Sequence, residues 1–525
     1  MGRSRVVAVA AILVVSVLGM ALPAGAAVPK IVDFAPASGP VGTSVQVVGS
    51  AFAGATSVTF AGVSASFAVV SSTLIVATVP ATATTGLVSV TTPLGVGASK
   101  TLFVVTPLAA VTTNVSRAAP TGKVVVSGSG FAIQQAVEVY FDTAQLALVS
   151  SSATGTFTVT INVPASAVPG THWITALERI SGKSAQAALT VRTNWPSFRN
   201  GAKHTGRNNT ENVLNKDNVD GLDLQWTATA GGPIGSSASV VNGIVYIGSY
   251  DGKLYAFDAA TGSVIWTATT GDTIQTSSPA VANGLVYVGS NDNKLYAFDA
   301  ITGASIWSAT TGNDVFASPA VANGVVYIGS FDGKIYAFDA VTGAAVWTVD
   351  TGFGVLSSPT VANGVVYVGT AGGTLYAVNA YSGDTIWTET TSQAIHSSPA
   401  VANGTVYIAS NGGYLYAFGA ALGGLKWLAA ATSGVLRSPA VANGVVYWVD
   451  FNGAFNVSNA KTGATEYTGF AGTGFYSSPA VANGMVYIGS GDGRLYAFGL
   501  DDPPAAAARP SIASLHTNPS IALSR

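Results

Sequence analysis

The chain has 525 residues, enough for several domains, and only 9% of them are charged. Its 22 basic and 24 acidic side chains leave a net charge of −2, which gives no electrostatic case for binding nucleic acid. Cysteine is absent, so packing alone must stabilise the chain, and 61 glycines among abundant Val, Thr, Ser, Ala and Tyr mark an all-β protein with many tight turns.

Residues 1–27 read as a signal peptide. Arg3 and Arg5 make the positive start, Val6 to Leu22 an uncharged apolar core, and Ala24-Gly25-Ala26 a small-residue cleavage site. A secreted or cell-surface protein is expected, with no membrane insertion after cleavage. The lack of cysteine excludes a lipoprotein.

Residues 28–105 carry short strands with turns every eight to twelve residues, the pattern of a β-sandwich. Pro36-Ala37-Ser38-Gly39-Pro40 leads into Val45-Gln46-Val47-Val48-Gly49-Ser50-Ala51-Phe52. This segment resembles the IPT/TIG immunoglobulin-like family. Residues 106–192 repeat the step from strand to glycine to Phe in Val124-Val125-Val126-Ser127-Gly128-Ser129-Gly130-Phe131, and Val137 to Asp142 alternates as a half-buried strand does. They read as a second immunoglobulin-like sandwich. Residues 193–221 are expected to be a linker that packs on the repeat region C-terminal to it, anchored by Trp195 and Phe198. Arg199 and His204 lie between those anchors and the repeats.

From 222 to 500 the chain repeats a unit of about forty residues. One copy runs Ser277-Ser278-Pro279-Ala280-Val281-Ala282-Asn283-Gly284-Leu285-Val286-Tyr287-Val288-Gly289, then Leu295-Tyr296-Ala297-Phe298-Asp299-Ala300, then Thr302-Gly303 and Trp307. Such a period with four short strands per unit means a β-propeller. Inner strands start near Ser236, Ser277, Ala317, Ser357, Ser397, Arg437 and Ser477. The seventh unit has no outer strand after Phe498, while an orphan outer strand containing Trp226 precedes the first. Seven blades are therefore predicted, the last closed by the strand Leu222 to Thr227. Residues 501–525, rich in Ala, Ser and Pro, read as a flexible tail or as a strap over the surface.

The string Leu-Tyr-Ala-Phe-Asp-Ala-x-Thr-Gly-x-x-x-Trp resembles the PQQ-like, quinoprotein-type propeller repeat. That resemblance implies a quinone cofactor for the family's enzymes, which typically have eight blades, adjacent cysteines and acidic groups around calcium. Seven blades and no cysteine depart from it, so no cofactor is expected here. Asp258, Asp299 and Asp339 recur once per blade and read as turn formers rather than metal ligands. No nucleophile–base pair is legible.

The seven copies differ most on the face opposite the Asn-Gly turns. One slot at the mouth of the inner strands reads Gly235, Thr276, Phe316, Leu356, His396, Leu436 and Tyr476, with Arg437 next to it. The tips of the second-to-third loops read Tyr250, Asn291, Phe331, Ala371, Asn411, Phe451 and Gly491. Blade six departs furthest, with Trp448, Asp450 and Phe451. Phe316, His396, Arg437, Tyr476, Trp448 and Phe451 are the expected ligand-binding residues. The sequence thus points to a monomeric, non-enzymatic binding or scaffold protein recognising a protein, peptide or glycan at the cell envelope. The alternative is a secreted PQQ-dependent oxidoreductase or carbohydrate-active enzyme.

Overall fold

The structure is a computed structural model. It describes residues 27–202, 204, 206, 208–214, 218, 222–431, 438–442, 444–449, 454–470, 477–506, 508–512 and 515. The expected signal peptide lies outside them.

The first sandwich packs a sheet of Lys30–Ala35, Ser44–Ser50, Phe67–Ser71 and Leu74–Thr78 against one built on Ser57–Phe60, Gly86–Thr92 and Gly95–Val105. Phe34, Val47, Phe60, Ile75 and Phe103 fill the space between, with Phe60 edge-on to Phe103 at 5.1 Å. The second sandwich sets Ala110–Thr113, Lys123–Ser129 and Phe157–Asn162 against a five-stranded sheet centred on Gly170–Glu178. The recurring glycine before Phe has a steric cause in both. A Cβ on Gly49 would stand 2.1 Å from the Lys30 carbonyl oxygen, and one on Gly128 would stand 2.0 Å from the Phe157 ring.

Seven four-stranded sheets form the remainder, and they close as the repeat predicts. The strand Leu222–Thr229 pairs antiparallel with Arg494–Leu500, opposing Trp226 to Ala497, so blade seven is built from both ends of the repeat region. Closure leaves no free sheet edge between the first and last blades. In every blade but the sixth, whose Asn443 lies outside the described residues, the inner hairpin turns on Asn-Gly with both residues at positive φ, 52° and 80° at Asn283 and Gly284, as a type I′ turn requires.

Neighbouring blades are tied by a recurrent pair of hydrogen bonds. The Tyr287 hydroxyl (2.9 Å) and the Trp307 indole Nε1 (3.2 Å) both donate to the Ala340 carbonyl of the next blade. The same pair closes the ring, where Tyr487 and Trp226, both in blade seven, donate to the Ala259 carbonyl of blade one, each at 3.2 Å. The recurrent aspartates serve their own turns. Asp299 Oδ1 accepts from the backbone of Thr302 and Ile301 and from the Thr302 hydroxyl, which holds its carboxyl below the usual range. Asn379 and Asn459 accept in the same way.

Of the two readings of the tail, the described residues take the strap. Its described part is packed on the second sandwich rather than free. Arg509 lies over the Trp173 ring at 4.5 Å and donates from Nε to Gln186 Oε1 at 2.6 Å, while Leu515 is buried beside Tyr140 and Leu177. A long cation and two apolar side chains suffice to hold a segment whose composition otherwise suggests disorder.

Candidate functional site

The inner strands converge on a central channel, and each contributes a serine two residues before its first paired residue. Ser237, Ser278, Ser318, Ser358, Ser398, Ser438 and Ser478 all line it. The backbone N–H of one serine donates to the hydroxyl of the serine in the next blade, at 2.9 Å from Ser237 to Ser278, Ser278 to Ser318 and Ser318 to Ser358. The belt continues to Ser398 and Ser438 and closes from Ser478 back to Ser237 at 2.8 Å. The hydroxyls of Ser237, Ser278, Ser318, Ser358, Ser398 and Ser438 thus accept from the protein and keep their own hydrogens for other partners. The cavity above the belt holds about 490 Å³, and none of the described residues lining it is Asp or Glu.

One end of the channel is covered by the linker, which runs along the inner-strand ends at the Asn-Gly face. Trp195 bridges to Val240 in blade one, the Pro196 carbonyl accepts from Val281 N in blade two, and the Ala202 carbonyl accepts from Val361 N in blade four, both at 2.7 Å. Thr193 N donates to Asn483 Oδ1 and Asn208 Nδ2 to the Val481 carbonyl in blade seven. Trp195 is buried in the core, whereas Phe198 lines the channel. Arg199 and His204 are buried below it.

The other end opens on the face where the repeats diverge. Phe316, Leu356 and His396 line the opening, as expected of the variable slot, together with Gly235 and Thr276. Burial lowers the pKa of His396, so its ring is neutral at pH 7. Arg437, Tyr476 and Phe451 lie outside the described residues. Trp448 belongs elsewhere. It is 2% exposed in the core between blades, and its Nε1 donates to Ser458 Oγ at 3.1 Å. It occupies the slot that Ile328 and Ile408 fill in other blades, and Ser458 occupies that of Phe338 and Phe418. At Trp448 the departure of blade six is therefore a large-for-small exchange inside the core, while Asp450, like Phe451, lies outside the described residues.

In blades one, three and five the two variable positions, which look separate in the sequence, meet. Phe316 stands edge-on to Phe331 at 6.0 Å. Asn411 Nδ2 is 3.3 Å from His396 Nδ1. A Cβ on Gly235 would come within 3.0 Å of the Tyr250 ring, so the glycine makes room for the tyrosine. The rim has two characters. Phe331 (47% exposed) and Phe353 (58%) make an apolar arc over blades three and four, while Tyr250, Asn291 and Asn411 make a polar one.

The family model described as "Beta-alanine-activating enzyme, beta-propeller" matches residues 212–500, more than half of the chain. The chain belongs to this β-propeller family. The IPT/TIG domain model matches residues 29–104, which agrees with the first sandwich. The comparisons thus carry the propeller and the IPT/TIG domain, at a coarser level than the quinoprotein-type repeat. Among solved structures, BamB from Moraxella catarrhalis aligns at 18% identity and TM-score 0.48, over 53% of this chain and 99% of that one. The computationally designed Ika8 protein aligns at 14% identity and TM-score 0.43, over 70% of this chain and 96% of that one. No curated protein matches the chain.

Proposed function

We propose that this propeller protein is an exported, non-enzymatic binding protein of the bacterial cell surface or secretome. It recognises a protein, peptide or glycan through the rim around Phe316 and His396. The observation that carries this reading is the pairing of variable side chains around the open end of the channel. Blades one, three and five, otherwise close in sequence, present three different pairs here. Divergence confined to one concave face, with exposed aromatics beside polar groups, suits recognition.

The lumen offers little for hydrolysis. Glycoside cleavage uses two carboxylates flanking the bond, and the described residues lining this cavity include none. The quinone-dependent alternative has a direct test, the absorbance and dye-linked alcohol oxidation of the full chain after addition of PQQ and calcium. The binding reading predicts neither signal.

The reading itself is tested by the double variant Phe316→Ala, His396→Ala of the full chain, immobilised beside the unaltered protein and exposed to cell-envelope fractions. A partner held by the unaltered chain and lost by the variant supports it. Undiminished capture by the variant rejects the assignment of the rim.

A further inference from the structure

The belt around the lumen carries hydrogen-bonding groups that the propeller does not use. Ser237, Ser278, Ser318, Ser358 and Ser398 are between 1% and 5% exposed. Each hydroxyl is held by the backbone N–H that it accepts from a neighbouring blade. Among the described residues none takes the hydrogen of any of the five. Each therefore has one O–H and one lone pair left, at a cavity that it lines. Buried hydroxyls seldom lack a partner, so the belt calls for one from outside the protein.

The wall above the belt is polar, uncharged and oriented. Gln275 Oε1 accepts from Asn291 Nδ2 at 3.4 Å, which leaves its own amide hydrogens unused. His396 is neutral and its Nδ1 accepts from Asn411 Nδ2 at 3.3 Å, so the ring hydrogen sits on Nε2. The Thr276 hydroxyl donates to the Phe316 carbonyl at 2.9 Å and keeps its lone pairs. Two aromatic rings complete the lining, Phe198 from the covering linker and Phe316 at the mouth. None of the described lining residues is Asp, Glu, Lys or Arg. Arg437, one place before the belt serine of blade six, lies outside the described residues. Its counterparts Ser277 and Ser397 bond the second strand of their own blade and are not among the residues lining the cavity.

Groups that both donate and accept, without charge and between aromatic rings, define their complement. A channel covered at one end admits the end of a chain, not its middle. The end of a peptide carries an ammonium or a carboxylate, and neither meets an opposite charge on the described wall. The end of a neutral saccharide carries hydroxyls, each a donor and an acceptor, and offers the C–H face of its ring to an aromatic. Building on the reading of the rim as a recognition face, we propose that the lumen takes the uncharged terminal end of a saccharide chain. The belt hydroxyls and the N–H groups of Gln275 and His396 hydrogen-bond its hydroxyls, and Phe316 packs on a ring face. The cavity of about 490 Å³ lies within the roughly 300–1,000 Å³ of small-molecule sites.

The test starts with the full chain on an array of neutral oligosaccharides of glucose, mannose, galactose and N-acetylglucosamine, beside peptides with free termini. Neutral oligosaccharides are expected to be retained and the peptides not. The best-retained oligosaccharide is then titrated calorimetrically into the unaltered chain and into the double variant Ser318→Thr, Ser358→Thr. Threonine keeps the hydroxyls that accept from Ser278 and Ser318 and adds two methyl groups at the lumen, so Kd is expected to rise about tenfold or more. Crystals of the unaltered chain soaked in the same oligosaccharide should show its terminal ring between Phe316 and the belt, which decides the matter if the variant does not fold. Capture from envelope fractions treated with periodate, which cleaves vicinal diols, separates this ligand from the rim itself. Loss of capture after periodate supports the saccharide. A partner indifferent to periodate but lost by Phe316→Ala, His396→Ala leaves the rim standing and overturns the saccharide. Retention of no neutral oligosaccharide, an unchanged Kd in a folded threonine variant, or a ring bound outside the lumen overturns it as well.

Discussion

Gly303→Ala isolates the contact that sets the repeat's last turn. Gly303 has a φ of +72°, and a Cβ built on it lies 2.7 Å from both Cδ2 and Cε3 of Trp266 in the preceding blade. The indole cannot swing aside without cost, because it is 9% exposed and its Nε1 donates to the Ala300 carbonyl. Gly284, in the same blade, has a φ of +80° and nothing within 4 Å of such a Cβ. Both substitutions place an L side chain in the left-handed region, at about 1–2 kcal/mol. Only Gly303→Ala adds overpacking, at about 1–3 kcal/mol. The expected cost is thus about 2–5 kcal/mol at 303 against about 1–2 at 284. Urea unfolding followed by tryptophan fluorescence should show the larger midpoint loss for Gly303→Ala, at similar m. Gly303→Asn should recover only the backbone part of the loss, since asparagine tolerates the left-handed region but does not avoid the clash. Equal losses at 303 and 284 would show that the indole yields freely and that the turn glycine is a backbone requirement alone.

Removing the Tyr487 hydroxyl, in Tyr487→Phe, takes one donor from the Ala259 carbonyl and should cost about 0.5–1.5 kcal/mol in the propeller transition. The loss is modest because Trp226 Nε1 still donates there. In the second sandwich, His172 is buried with Nδ1 2.6 Å from Asp142 and Nε2 2.8 Å from the Val168 carbonyl. Burial opposes its charge, but the hydrogen bonds to Asp142 and Val168 and the Asp142 charge outweigh it and raise the pKa above 6.5. Its contribution to stability is therefore complete below about pH 6.5 and lost as pH rises through the raised folded value. NMR titration of His172 and the pH dependence of Tm should show this together, and His172→Gln should remove that part of the dependence. Arg509→Ala should loosen the tail by about 0.5–1 kcal/mol, seen as faster proteolytic cleavage after residue 500 with the propeller intact.

The architecture was largely legible because a propeller blade writes its turns into the chain. Asn-Gly, Asp-x-x-Thr-Gly and the spacing of tryptophans each mark a strand boundary, and the orphan Trp226 strand implied closure. The rim was legible only in part. Its residues could be read as a variable slot, but their pairing needs the fold. The size compensation between Gly235 and Tyr250 is visible in sequence only to a reader who knows that the positions touch. Trp448 misled because a loop next to it varies. Comparing its slot with Ile328 and Ile408, both fully buried, is the signal that places it in the core. The tail's docking was not legible, since Ala- and Pro-rich sequence does not reveal a partner surface made by Trp173 and Gln186.

The claim that the divergent rim is the recognition surface is tested most directly by site-specific photocrosslinking. Benzoylphenylalanine is introduced at Phe316 or Phe331 on the rim, or at Val341 in the exposed turn on the opposite face, in the full chain. Crosslinks to one discrete envelope partner from 316 and 331, and none from 341, are the predicted result. The same partner crosslinked from 341, with silence at both rim positions, would contradict it.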